Sequence, residues 1–182
     1  MGKNRIVTEP ETHFWRRLAD SGLCSPQDCH DLEQTFRQSQ TEASPTSWLV
    51  GRRVLTTYQA QLLDSEASRP FFYGDYEVLA PMGAGRLAGL LYARHRLTRA
   101  AVMLSLGPIT DAGNEQLAAQ RYRKVWHPNL LRVYEVLAVD NQWCAAVEPV
   151  DVRGTTLVDL APTLGSAPAE VCHMVWQVAL AL

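Results

Sequence analysis

Apolar positions in the first seventy residues recur at helical spacing. Phe14 and Leu18 stand four apart, and Gly22 can take up the left-handed conformation that stops a helix. Ser25-Pro26-Gln27-Asp28 then offers an N-cap, a first-turn proline and an acidic third position. Cys29, Leu32 and Phe36 share one face of the helix that follows. The polar stretch from Ser39 to Pro45 reads as a connector. Beyond it, Trp48-Leu49-Val50-Gly51 reads as a short helix and its stop, and Thr56-Thr57-Tyr58-Gln59 has the capping-box pattern that opens a helix through Leu62 and Leu63. An offset of 31 residues superposes Leu18 on Leu49, Leu23 on Val54, Ser25 on Thr56, Asp28 on Gln59 and Leu32 on Leu63. Residues 1–70 are therefore expected to form a helical domain of two helix-turn-helix units, with a docking or spacer role.

After residues 65–70 the period changes. Tyr76, Val78 and Ala80 alternate with Glu77 and Leu79, Met82-Gly83-Ala84-Gly85 breaks the run, and Leu90-Leu91-Tyr92-Ala93 resumes it. A turn around Leu97-Thr98-Arg99 leads to the apolar run from Ala100 to Leu106. A helix is predicted from about Asp111 to Trp126, stopped by His127-Pro128-Asn129. Two strands follow, Leu131 to Val139 and Trp143 to Val147, joined by Asp140-Asn141. The expected fold class is α+β: a small all-helical N-terminal domain, then a five-stranded antiparallel sheet with one packed helix. From Ala167 to Leu182, Val171, Val175, Val178 and Leu182 predict a further helix.

Composition narrows the function classes. The 182 residues hold 17 Lys and Arg against 19 Asp and Glu, a net charge of −2, which excludes a strongly basic nucleic-acid binder. No apolar run of about 18 residues occurs, so no membrane span is expected. The start lacks the apolar stretch of a secretory signal, and a reducing, cytoplasmic setting is the default. Cys24, Cys29, Cys144 and Cys172 are scattered, and C-x4-C before His30 without a second pair is a weak zinc signal. They are expected to pack as small apolar groups, with no metal site.

The joints between these elements carry a resemblance. Gly83-Ala84-Gly85-Arg86-Leu87-Ala88 with Leu90, then Tyr92-Ala93-Arg94-His95, His127-Pro128-Asn129-Leu130-Leu131, Glu148 and Gly154-Thr155-Thr156-Leu157 occur in order. Together they resemble the N-terminal lobe of eukaryotic-type serine/threonine protein kinases over residues 73–182. Leu55 to Ala60, leading into Gly74-Asp75-Tyr76, is similar to what precedes the kinase domain in large bacterial kinases of the planctomycete type.

The resemblance implies an ATP and Mg²⁺ site and identifies its positions. Gly83, Gly85, Ala88 and Leu90 fall on the glycine-rich loop, Val147 on the gatekeeper, and the Glu148 carbonyl and Val150 N–H on the backbone contacts to adenine. Ser105 stands where the family has its strand lysine, Met103 where it has a small alanine, and Ala118 at the helix glutamate, with Glu115 almost one turn earlier. A hydroxyl carries no charge to hold phosphates, and a thioether enlarges the wall where the base would lie. No catalytic residue is therefore assigned; Arg86 or Arg94 is the conceivable stand-in cation. The catalytic-loop, metal-binding and activation motifs of the family do not occur. The expectation is a kinase-like fragment, a pseudokinase acting in signalling through contacts with other proteins, with no nucleic-acid partner and no membrane span in this chain. The alternative is the front of an ATP-dependent serine/threonine kinase whose C-terminal lobe lies beyond residue 182.

Overall fold

The computed structural model describes residues 9–39, 41–65, 69–83, 89–109 and 114–150, with positions 169, 172, 176 and 177. Their elements are α1 (Glu9–Ser21), α2 (Pro26–Gln38), α3 (Pro45–Gly51), α4 (Thr57–Asp64), β1 (Phe72–Tyr73), β2 (Tyr76–Pro81), β3 (Leu91–His95), β4 (Ala101–Pro108), α5 (Asn114–Tyr122), β5 (Val133–Val139) and β6 (Gln142–Val147). The fold is α+β. The chain divides into two compact units, Met1–Pro81 and Met82–Leu182.

In the first unit local chemistry sets the helix ends. Ser25 and Thr56, related by the 31-residue offset, are both extended N-caps whose hydroxyls accept from the backbone N–H of Asp28 and Gln59. The offset also pairs the turn residues: Gly22 has φ 72° and Arg53 φ 60°. Leu18 and Leu49 are both fully buried. The duplication read from the sequence is thus a repeat of helix, left-handed turn and capped helix. Phe14, Trp15, Leu18, Phe36, Leu49 and Leu63 lie in one apolar core, where Trp15 and Phe36 rings sit 5.7 Å apart and Phe36 meets Trp48 edge-on at 5.4 Å.

Helix α4 is tied to β2 by side chains. The Thr56 hydroxyl donates to the Leu79 carbonyl at 2.6 Å. Gln59, 1% exposed, accepts from Thr56 N–H at 2.9 Å through Oε1 and donates through Nε2 to the Val78 carbonyl at 2.9 Å and to Glu77 Oε1 at 3.0 Å. A buried amide is tolerable only when satisfied in this way.

Strands β1 and β2 pair antiparallel in the first unit, and in the second β3, β4, β6 and β5 lie in that order in an antiparallel sheet. The described strands number six, not the five predicted from alternation. The additional strand is β1, whose two residues pair with β2 across a turn where Gly74 has φ 57°. Two residues are too few for a period-two pattern to register.

In the second unit β4 lies between β3 and β6. Val102, Met103 and Leu104 are all buried, so both faces of β4 are covered there, which is why its sequence is a continuous apolar run. Helix α5 ends at Tyr122, earlier than the predicted Trp126, and residues 123–124 continue as a turn. Residues 111–113 and most of the predicted helix at 167–182 lie outside the described residues. No helix among the described residues is long and apolar enough to cross a membrane.

Candidate functional site

Residues facing each other across an antiparallel pair share a sheet face. Met103 lies opposite Val147, Ser105 opposite Ala145 and Gly107 opposite Trp143, so these six occupy one face of β4 and β6. The Trp143 indole lies over Gly107: a Cβ built there would fall 2.4 Å from Cε2 and 2.5 Å from Nε1 of the ring. Only glycine leaves room for it.

Between this face, α5 and the loop after it is a cavity of about 500 Å³. The sheet contributes Ser105, Trp143, Ala145, Val147 and Val133; α5 contributes Ala119 and Tyr122; the loop contributes Asn129, Leu130 and Leu131. Its polar side chains are a hydroxyl, a phenol, an amide and the indole N–H. The Asn129 amide donates to Gln177, at 2.9 Å to the backbone carbonyl and 2.6 Å to Oε1. Trp143 Nε1 is buried without a hydrogen-bond partner. None of the described lining residues carries a charge. A cavity of this kind accepts apolar matter and offers nothing to neutralise a phosphate chain, whose transfer from water without compensation is costly.

The structure brings Met103, Ser105 and Val147 together on that face. Met103 is 1% exposed, so its thioether is packed into the interior. Ala118 is exposed on α5, and its neighbour Ala119 is the helix residue that lines the cavity with Ser105. The side chain of Glu115 is outside the described set. Arg94 pairs with Ala101, four residues from Ser105 along β4; at about 3.3 Å per residue that is about 13 Å, too far for the guanidinium to take over the place of a cation at 105. Arg86, Gly85 and Ala88 lie outside the described residues.

Gly83 is exposed, with no atom within 4 Å of where a Cβ would stand. The glycine that backbone geometry demands is Gly89, at φ 94°. The Leu90 carbonyl accepts from Met82 N–H at 2.8 Å, closing the base of the connection between β2 and β3. Glu148 is pinned to the start of β5: its N–H donates to the Arg132 carbonyl at 2.8 Å, and its carboxylate accepts from Arg132 N–H at 3.3 Å. Val150 is exposed. Neither Gly83, Glu148 nor Val150 lines the 500 Å³ cavity. Sequence reasoning missed Tyr122 and the Gly107–Trp143 pair; Tyr122 carries a periodic signal, three residues after Ala119, whereas the pair is non-local.

Cys29 and Cys144 are buried as expected and Cys24 is half-buried, whereas Cys172 is exposed and does not pack as a small apolar group. Burial pushes the Cys24 thiol up to about 11, with Cys29 beside it adding to the shift, and burial pushes Cys144 up to about 12. Neutral, buried thiols are poor nucleophiles and poor ligands. No cluster of three metal-ligating side chains is found among the described residues.

No protein-family model matches the chain, and no curated protein does either.

Proposed function

We propose that the chain is a kinase-like module that has lost phosphoryl transfer and acts in signalling through protein contacts. The observation that carries this reading is Ser105. In the motif alignment it takes the place of the phosphate-holding lysine, and its side chain lines a cavity whose described walls are uncharged. Phosphoryl transfer depends mainly on positioned positive charge around the triphosphate, supplied by lysine and Mg²⁺. A hydroxyl cannot fill that role, and Met103, on the same face of β4, is larger than the alanine that the resemblance implies there. The helical unit and the exposed surface of the sheet unit remain as contact surfaces for other proteins.

Isothermal titration of the chain with ATP and Mg²⁺ tests the proposal. The expected outcome is no saturable heat up to millimolar nucleotide. Binding with a micromolar Kd overturns it, and a further loss of that binding on Gly85→Asp would identify the nucleotide loop of a working kinase.

A further inference from the structure

A second surface of the sheet unit lies beside the Ser105 cavity, sharing Leu130 with it, and has a different chemistry. Beyond the end of α5, Arg123, Lys124 and Trp126 are exposed, Trp126 to 76%. Trp126 stands in the wall of a concavity of about 270 Å³ together with Arg132, Tyr134 and Glu148, and Arg123 and Lys124 precede it directly in the chain. The Arg132 guanidinium stands over the Tyr134 ring at 5.6 Å. Among the described residues no carboxylate forms an ion pair with Arg123, Lys124 or Arg132. Glu148 is held by the backbone N–H of Arg132. A cation in the last turn of a helix is accounted for by the helix dipole, as at Arg121. Arg123 and Lys124 follow directly on that turn and share its account, but Arg132 ahead of β5 and the largely exposed Trp126 have none.

We infer that this surface docks a short acidic peptide segment of a partner protein, with an aromatic or aliphatic side chain against Trp126 and carboxylates on Arg123, Lys124 and Arg132. Charge complementarity sets the sign of the partner, and the exposed indole sets its apolar anchor. The same residue types occur in sites for single-stranded nucleic acid and anionic bilayers, but two features favour the peptide. The whole chain carries a net charge of −2, which opposes the extended negative arrays of RNA or lipid while leaving a short segment to respond to the local field. Glu148 in the wall of the concavity repels any anion near it, which a few spaced carboxylates seated on the cations can avoid and a continuous run of phosphates cannot. The inference goes beyond the loss of nucleotide binding and does not depend on it.

Fluorescence anisotropy of a short fluorescein-labelled peptide, one Phe and one Leu among Asp and Glu, tests it on the full chain. Saturable binding is expected, weakening as salt rises and absent for the peptide with Lys in place of its acids. Trp126→Ala, and separately Arg123→Glu with Lys124→Glu, should each weaken it about tenfold, with the circular dichroism of the chain unchanged because all three side chains are exposed. Absence of binding, equal binding of the charge-reversed peptide, or unchanged affinity in both variants overturns the inference. So does tighter binding of polyuridylate or of phosphatidylserine vesicles. The nucleotide titration and the peptide titration use different ligands and different variants, so the two proposals stand or fall separately.

Discussion

Removing the Gln59 side chain should unsettle the first unit more than any surface change, and the size of the effect follows from its bonds. The amide is 1% exposed and makes three hydrogen bonds, one closing the cap of α4 and two reaching β2. At a net value of about 1 kcal/mol each, Gln59→Ala forfeits about 3 kcal/mol. The lost methylene contact adds about 1 kcal/mol, for a total of about 4 kcal/mol. Urea unfolding followed by circular dichroism at the helical band measures it. With a denaturant slope of roughly 2 kcal/mol per molar, the midpoint should fall by about 2 M. Gln59→Glu separates bonding from packing. It keeps the size and the acceptor for Thr56, but at neutral pH it cannot donate to the Val78 carbonyl and faces the Glu77 carboxylate. Burial and that neighbour raise the introduced carboxyl's pKa in the folded state, so the variant should be least stable near pH 8 and recover as the pH falls toward 5. A cost under about 1 kcal/mol for Gln59→Ala, or no pH dependence for Gln59→Glu, would refute the assignment of Gln59 as the link between helix and strand.

Three further outcomes are expected. Gly107→Ala gains roughly 0.5–1 kcal/mol from a stiffer unfolded chain but places a methyl 2.4 Å from the Trp143 ring; overpacking of about 1–3 kcal/mol wins, so the urea midpoint should fall. Arg53→Gly relieves a left-handed backbone at φ 60°, worth about 1 kcal/mol against a smaller entropic cost, and should raise the midpoint slightly, whereas the same relief is already built in at Gly22. The buried thiols have folded-state pKa values raised from 9.0 to about 11 for Cys24 and about 12 for Cys144. Their contribution to stability is intact below about pH 9 and lost as the pH rises through 11 and 12, so midpoints measured between pH 8 and 10.5 should decline; that decline should flatten in Cys24→Ala and Cys144→Ala.

The parts of the fold legible in the sequence are those whose causes lie within a few residues. Ser25 and Thr56 cap helices by bonds to the residue three ahead, and the period of Cys29 and Phe36 names the buried side of α2. Strand β1 was not legible, because Phe72 and Tyr73 acquire their state from β2. Neither was the adjacency of β4 and β6: chain order places β5 next, and only the ladder of Gly107 on Trp143 and Ser105 on Ala145 reveals the arrangement. At the candidate site, Ser105 and Met103 could be placed by motif, while Ala118 and Ala119 differ by about 100° of helix rotation, which a motif position in a weakly patterned helix does not resolve. The charge-free lining of the cavity depends on four segments meeting, and no single stretch of sequence carries it.

The empty side of Gly107 also fixes how β4 and β6 can be aligned. Sliding β6 by two positions, the smallest step that keeps each side chain on its own side of the sheet, sets the indole against Ser105 or Ile109. Either would meet it with a Cβ. A single notch thus admits one alignment and rejects its nearest competitors on either side.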